Sequence, residues 1–367
     1  MLILRVVTKL KVGGVERGLL EEVSIIKKSA EFNYIIFVIE GINKDFFNEF
    51  DVVYHTSSKD LITNFNPDKI NVLFCNKKIV NIIFLIRELN LLISSLDVIY
   101  IISSLWKSNL ISIIVRFLKN KKIKLISFFH SSSYAHYIDR VISKFAFFVS
   151  DKCIYDSFST KVIYEKTDVT VTDIIPFVFK DDLYFDGNLK SSNPYSFVFI
   201  GRLHSVKNIS HAINIIYEIK SRGLNPKFDI YGPDEGEFSF LLELVNRLDL
   251  SKNVSFKGVL DSADFNKILL DYDFLLQTSL REGMASSVIE GMQRGLIPVV
   301  TPVGQIVNYC ESGQNSIIIG DDINEVVKDI VRLYKDNRLN EVKFNAMKTV
   351  TDMPCFNDRY SNFLSLL

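Results

Sequence analysis

Short apolar runs alternate with longer segments of helical periodicity along the first half of the chain. Apolar residues recur with a period near 3.6 in Arg17–Ser29 and Trp106–Lys119, which predicts helices there. Strands that are buried on both faces appear as nearly continuous apolar runs, so the alternation predicts an α/β fold with a doubly wound parallel sheet. The predicted strands are Leu2–Val7, Tyr34–Ile39, Val72–Phe74, Val98–Ile102, Lys124–Phe128 and Lys152–Tyr155.

The polar segment Lys180–Pro194 interrupts this rhythm. It contains glycine, asparagine, serine and proline without an apolar period, which is typical of a linker. The alternation restarts at Phe197 and continues to about Lys335. A chain of 367 residues also exceeds what one hydrophobic core usually supports. The sequence therefore predicts two domains, residues 1–182 and 195–352, with a linker at 183–194.

Composition narrows the class of protein. Apolar residues make up 48% of the chain and the formal net charge is zero, which is typical of a folded globular protein. Charged residues interrupt every long apolar stretch, so neither a signal peptide nor a membrane span is expected. No G-x-G-x-x-G fingerprint occurs, which weighs against a nicotinamide-dependent dehydrogenase. The cysteines lack metal-ligand or C-x-x-C spacing, which predicts reduced thiols in a cytoplasmic protein: Cys75, Cys153, Cys310 and Cys355.

Charge is distributed unevenly along the chain. Residues 1–180 carry a net charge of +6 and the remainder −6. Within the first half, Ile101–Ser150 contains eight cations and a single acid, Asp139. This composition predicts either a peripheral contact with an anionic membrane or ordinary solvated helix faces. No nucleic-acid partner is expected, because the overall balance is not basic. Several aromatic residues accompany these cations: Phe117, Phe145, Phe147 and Phe148.

The segment Arg281–Pro298 has the most informative pattern. It places Glu282 and Glu290 around a predicted helix start, between the apolar runs Phe274–Leu276 and Ile297–Val300. Ser286 and Ser287 are the predicted N-cap residues, and a helix N-terminus after a parallel strand favours an anion. Two carboxylates on either side of such a terminus could accept hydrogen bonds from ligand hydroxyls that flank a phosphate. The alternative is a purely structural capping box, in which Glu290 reaches back to the backbone of Ser287.

A second loop carries cations. In Phe197–Asn208 an apolar strand ends at Gly201, and Arg202 and Lys207 follow. A planar guanidinium and a mobile ammonium after a strand end suit a diphosphate. The alternative is two solvated surface cations.

Together, these two loops resemble the donor site of the retaining glycosyltransferases of the GT-B fold, specifically family 4, also called group 1. The resemblance covers most of the chain in the family's order. Its further parts are Val12–Glu22, His130 after the run Ile123–Phe129, Ile230–Pro233, Val254–Val259, Pro298–Gly304 and Glu311–Asn315. It implies two Rossmann-like domains that face a deep cleft, with residues 353–367 forming a helix that returns to the first domain.

The resemblance also implies a role for each site residue. Arg202 and Lys207 would neutralise the departing nucleoside diphosphate, and Glu290 would bind the ribose hydroxyls. Glu282 would hold the sugar, and His130 would act from the opposite domain. The remaining donor contacts would come mainly from backbone at Gly14, Gly232, Val259, Gly283, Met284, Ala285, Ser287 and Val288.

The implied reaction moves a hexose or N-acetylhexosamine, with UDP as the expected nucleotide, and retains the anomeric configuration. The acceptor would be a saccharide or a lipid-linked glycan of lipopolysaccharide, O-antigen or capsule synthesis. No metal or other cofactor is expected. Asp271-Tyr272-Asp273 has the form of a metal-binding D-x-D but lies before a strand, where the family has no metal role. Two other functions stay open: a GT-B sugar-nucleotide epimerase, and a binding protein without turnover.

Overall fold

The chain folds into two units, each built around one parallel sheet. The computed structural model describes residues 1–10, 14–29, 31–42, 47–48, 50–75, 81–119, 123–130, 133–165, 172–179, 195–260 and 267–367. Unit 1 comprises Met1–Phe177 and Cys355–Leu367, and unit 2 comprises Val178–Pro354. The predicted linker at 183–194 lies outside the described residues.

The sheet of unit 1 has the strand order β3-β4-β2-β1-β5-β6-β7-β8, and every pairing is parallel. All six strands that the apolar runs predicted are present. The runs did not predict β3 and β8, which are short strands at the two edges of the sheet. The strands are β1 Leu2–Leu10, β2 Asn33–Ile42, β3 Val52–His55, β4 Ile70–Phe74, β5 Val98–Ser104, β6 Lys124–Phe129, β7 Lys152–Tyr155 and β8 Thr172–Ile174.

Helices lie between most consecutive strands, as parallel strand pairs require crossover connections. Their apolar faces bury Leu89, Ile111 and Val115 in the core of the unit. Among the described residues, no helix is both long and apolar enough to cross a membrane. The helices of the N-terminal segment are α1 Gly14–Ser29, α2 Ser58–Thr63, α3 Ile82–Ser95, α4 Leu105–Leu118, α5 Tyr137–Val149 and α6 Phe158–Tyr164.

The C-terminal helix, Phe356–Ser365, belongs to unit 1. Its Tyr360 hydroxyl donates to Glu22 of α1 at 3.3 Å. The same carboxylate accepts from Arg5 at 2.9 Å and from Tyr34 at 2.7 Å, and all four side chains are buried. A buried carboxylate needs such partners, because an unpaired charge there is costly. This network therefore ties the end of the chain to β1 and α1.

The sheet of unit 2 has the order β11-β10-β9-β12-β13-β14 and is also parallel. The strand order reverses between β9 and β12. In open α/β sheets, ligands bind beyond the carboxyl ends of the strands at such a point. The strands are β9 Ser196–Ile200, β10 Lys227–Tyr231, β11 Val254–Gly258, β12 Phe274–Gln277, β13 Ile297–Val300 and β14 Ile317–Ile318.

The helices of unit 2 pack their apolar faces on this sheet, with Ile213, Ile216 and Ile330 fully buried. They are α7 Ile209–Ser221, α8 Phe238–Arg247, α9 Ser286–Gln293, α10 Ile306–Tyr309, α11 Ile323–Lys335 and α12 Leu339–Asp352. The C-terminal helix of unit 1 described above is α13. The predicted fold class, two doubly wound parallel sheets with helices, is confirmed.

Candidate functional site

The loops that follow β9 and β12 meet at the reversal point of the second sheet. The N–H of Leu280 donates to the carbonyl of Val206 at 2.8 Å. The hydroxyl of Thr278 donates to the carbonyl of Asn208 at 2.8 Å. Because both strands are parallel and adjacent, their carboxyl ends lie at the same edge of the sheet. The two loops that carried the predicted chemistry therefore form one surface.

Lys207 and Glu282 form an ion pair at this surface. The Lys207 ammonium donates to Glu282 Oε1 at 2.6 Å, and their side chains are 19% and 9% exposed. The same oxygen accepts from Gln277 Nε2 at 2.5 Å and from Ser279 Oγ at 2.6 Å. Charge-assisted hydrogen bonds of this kind fix a carboxylate in one orientation. The cation loop and the carboxylate loop, which the sequence assigned to one donor site, thus meet through the Lys207–Glu282 pair.

Sequence reasoning missed the two uncharged partners. Gln277 is the last residue of β12 and Ser279 follows it closely, and both side chains are buried. The sequence signal was available, because two buried polar residues at the end of an apolar strand need hydrogen-bond partners. Their partner is Glu282, so they position the carboxylate for whatever it binds.

The loop from Glu282 to Ala285 is held from the side of β13. The N–H of Gln305 donates to the carbonyl of Gly283 at 2.9 Å, and the Tyr309 hydroxyl donates to the carbonyl of Met284 at 2.9 Å. Gly304 has φ +59°, and a Cβ there would lie 2.1 Å from the carbonyl oxygen of Glu282. Only glycine permits this approach. Two hydrogen bonds and the close approach of Gly304 therefore determine where the loop lies.

Helix α9 begins immediately after this loop. Its N-cap is Ala285, in the left-handed conformation with φ 56°, and no side chain caps the helix. The prediction that Ser286 or Ser287 is the N-cap is wrong, and so is the capping-box alternative: Ser287 already lies inside the helix, and its hydroxyl contacts Gln277 Oε1 at 3.4 Å. The first N–H groups of a helix have no intrahelical acceptor and favour an anion.

Glu290 lies one turn inside α9 and is partly buried. Its backbone carbonyl accepts from the guanidinium of Arg294 at 2.8 Å. The helix thus places the second predicted carboxylate near the same end of the sheet as the first. Val288, the other predicted contact on α9, is fully buried, and its N–H already donates to the carbonyl of Ala285 at 2.9 Å.

Arg202 follows β9 as predicted, but its ionic partner is Glu235, not the Glu282 that pairs with Lys207. Its guanidinium donates to Glu235 Oε2 at 2.6 Å, and the two side chains are 54% and 38% exposed. Glu235 lies in the loop after β10. Its backbone N–H donates to the carbonyl of Leu203, in the loop after β9, at 3.0 Å. Two strand-end loops therefore share this exposed ion pair.

The ends of β10 and β11 come close to the β9 loop. Gly232 has φ +148°, and a Cβ there would lie 1.8 Å from the carbonyl oxygen of Gly201. The N–H of Gly232 donates to the carbonyl of Gly258 at 2.8 Å. Val259, which comes next, is exposed. The two predicted flanking residues, Gly232 and Val259, thus follow adjacent strands at the same sheet edge.

His130 of unit 1 occupies the end of β6. Its Nε2 lies 2.9 Å from the hydroxyl of Ser104 at the end of β5, and its ring contacts those of Phe128 and Phe177. Burial, with a further contribution from nearby Arg5, holds the pKa of His130 well below its ordinary value. The imidazole is therefore uncharged at neutral pH. No described residue is a hydrogen-bond partner of its Nδ1 atom.

The other predicted contact of unit 1 is Gly14, the first residue of α1 after β1. Residues 11–13, which include the rest of the predicted glycine loop, lie outside the described part of the chain. β1 ends before these residues and α1 begins directly after them, in the order that the sequence predicted.

The D-x-D segment has a structural role. Asp273 accepts from Lys343 at 2.6 Å and from Tyr334 at 2.7 Å, and both Asp273 and Lys343 are buried. The Tyr272 hydroxyl donates to Asp229 at 2.7 Å. Among the described residues, no group of three or more histidine, cysteine, aspartate or glutamate side chains is placed to hold a metal ion.

Residues 180–348 match the family described as glycosyl transferases group 1. The poly(glycerol-phosphate) alpha-glucosyltransferase of Bacillus subtilis (strain 168) is 29% identical over 155 residues, which are 41% of this chain. The match spans only 22% of that relative's length.

Two solved structures share the fold over the whole chain. HepE from Anabaena, in complex with UDP and glucose, has a TM-score of 0.75 at 18% identity and covers 100% of this chain and 99% of its own. The sucrose-phosphate synthase of Thermosynechococcus elongatus has a TM-score of 0.77 at 13% identity, with 100% and 98% covered. These likenesses show the fold, and the family match at residues 180–348 bears out the predicted resemblance of that segment to group 1 glycosyl transferases.

Proposed function

We propose that this chain, a GT-B protein with a group 1 glycosyl transferase domain at residues 180–348, transfers a hexose or N-acetylhexosamine from a UDP-sugar to a saccharide or lipid-linked acceptor. The observation that carries the proposal is the Lys207–Glu282 pair at the reversal point of the second sheet. A cation, a carboxylate and an uncapped helix start at one sheet edge suit the diphosphate and the sugar of one ligand.

The leaving diphosphate gains negative charge as the glycosidic bond breaks. In our proposal the Lys207 ammonium and the first N–H groups of α9 stabilise that charge, and Arg202 contributes from the neighbouring loop. Preorganised donors of this kind are each worth about 3 kcal/mol of barrier. Glu282, held by Gln277 and Ser279, accepts hydroxyls of the sugar, together with backbone groups of Gly283, Met284 and Ala285. Roles for His130 and Gly14, both in unit 1, stay predictions of the family resemblance.

We further propose that the anomeric configuration is retained and that no metal takes part. The cations named above supply the charge that a metal would otherwise supply. Turnover is therefore expected to be unchanged by excess EDTA. Loss of turnover with the chelator, restored by added Mg²⁺ or Mn²⁺, would contradict this.

The acceptor is proposed by chemical class. Lipopolysaccharide, O-antigen and capsule glycans fit the predicted reaction, and the Bacillus relative, by its name, glucosylates poly(glycerol phosphate). Release of UDP from UDP-glucose or UDP-N-acetylglucosamine, measured with and without candidate acceptors, tests the proposal. UDP release that requires an acceptor supports a transferase. Conversion of the UDP-sugar into its epimer without an acceptor and without net UDP release would indicate an epimerase, and binding without turnover would indicate a binding protein.

Replacing Glu290 with alanine is expected to weaken UDP binding. Its carboxylate is proposed to accept both ribose hydroxyls, and hydrogen bonds to a charged group contribute about 1.5–3 kcal/mol, so Kd should rise about tenfold to a hundredfold. Isothermal titration with UDP measures this. Glu243→Ala, on the exposed face of α8, is the matched control and should leave Kd unchanged. Wild-type affinity in Glu290→Ala would remove this residue from the site.

A further inference from the structure

Helix α5 presents an apolar face to solvent. At 100° per residue, its exposed apolar side chains fall within an arc of about 100°. Phe148 and Tyr137 are each 78% exposed, more than any other large apolar residue of the described chain. An exposed apolar face of this kind in a folded protein marks an interaction surface. We call it the α5 face, and it consists of Tyr137, Ile138, Val141, Phe145 and Phe148.

Cations border the α5 face on one side. Arg140 and Lys144 are exposed and fall next to the apolar arc on the helical projection. The acid of this helix, Asp139, lies on the opposite side, where its carboxylate accepts from the N–H of Ala135 and the hydroxyl of Ser143, both at 2.8 Å. The exposed charge beside the apolar face is therefore positive.

Helix α4 extends the same surface. The ring of Phe117 stacks on that of Phe145 with 6.5 Å between centroids. Phe117 and its neighbour Leu118 are both exposed. The exposed apolar surface thus continues from α5 to the end of α4, so it spans two helices.

We propose that the α5 face docks unit 1 on an anionic lipid membrane. Aromatic and aliphatic side chains flanked by arginine and lysine are the composition of helices that lie in the membrane interface, where the apolar face enters the acyl boundary and the cations meet lipid headgroups. Charge complementarity selects anionic lipids over zwitterionic ones. This inference goes beyond the proposed transferase activity and does not depend on which sugar is transferred.

Sedimentation of the full chain with vesicles tests the proposal. At low salt the wild type is expected to pellet with vesicles of phosphatidylglycerol and phosphatidylcholine, and to stay in the supernatant with phosphatidylcholine alone. Phe145→Ser/Phe148→Ser should weaken binding by about tenfold or more, because two partly exposed rings no longer enter the membrane. Arg140→Gln/Lys144→Gln should also weaken it about tenfold or more and reduce its dependence on salt.

Phe344→Ser is the matched control, because Phe344 is 54% exposed on helix α12 of unit 2. It should bind vesicles as the wild type does. The proposal is overturned if the wild type fails to pellet with anionic vesicles, or if the α5 variants, with unchanged thermal unfolding, bind as the wild type does. A concentration-dependent dimer that Phe145→Ser/Phe148→Ser abolishes, without vesicle binding, would assign the α5 face to self-association instead.

Discussion

Alanine in place of Lys207 is expected to lower kcat by about 10²–10³-fold. The ammonium is proposed to neutralise charge that develops on the diphosphate in the transition state, and removing one preorganised donor costs about 3–4 kcal/mol of barrier. KM for the UDP-sugar should change less, because the charge grows as the bond breaks. Steady-state kinetics of UDP release in the presence of acceptor measure both parameters.

Two further variants separate chemistry from folding. Lys220→Ala removes a lysine of the same unit whose ammonium pairs with Asp249 at 3.1 Å, away from the carboxyl ends of the strands. This variant should leave kcat unchanged. Lys207→Ala removes the cation that donates to Glu282 Oε1, whereas Lys207→Ala/Glu282→Gln also removes the negative charge of residue 282. The double variant should therefore regain thermal stability but not turnover. Near-wild-type kcat in Lys207→Ala would show that this lysine does not act on the leaving group.

Gly304→Ala is expected to destabilise unit 2 and nearly abolish turnover. A Cβ at this position would lie 2.1 Å from the carbonyl oxygen of Glu282 and 2.7 Å from that of Gly283, so the loop that carries the carboxylate must move. Since misplacing a catalytic group by about 1 Å costs roughly 10²-fold, kcat should fall at least that far. Denaturant unfolding and steady-state kinetics measure the two effects.

Gly313→Ala is the control for backbone strain. Gly313 has φ +76°, close to the +59° of Gly304, but a Cβ there would meet nothing within 4 Å. Both substitutions cost about 1 kcal/mol for the left-handed conformation, and only Gly304→Ala adds the clash. Equal stability and equal turnover in the two variants would mean that the loop does not depend on this close approach.

The sequence predicted the sheets well because their strands are buried. Val98–Ser104 and Lys124–Phe129 each contain a continuous apolar run, which only a doubly covered strand provides. The missed strands, Val52–His55 and Thr172–Ile174, lie at the two sheet edges, where one neighbour is absent and a short, partly polar run suffices. Such strands are defined by their pairing and carry no strong local signal.

For the candidate site, the sequence predicted which charged residues lie on the loops that follow the strands. Lys207 and Glu282 lie 75 residues apart, and the parallel topology brings them together as expected. The partners of each charge depend on side-chain direction in loops, which the sequence pattern does not specify. Gln277 therefore escaped notice. The N-cap position of Ala285 was not predicted, because a left-handed alanine is an unfavourable N-cap. It is tolerated where surrounding contacts determine the backbone.

A crystal structure of the chain with bound UDP tests most directly whether the nucleotide binds at the Lys207–Glu282 pair. We expect the diphosphate to lie at the reversal point between β9 and β12, within hydrogen-bond distance of the Lys207 ammonium and the start of α9, with the ribose on Glu290. UDP bound elsewhere in the chain, with the Lys207–Glu282 pair untouched, would contradict it.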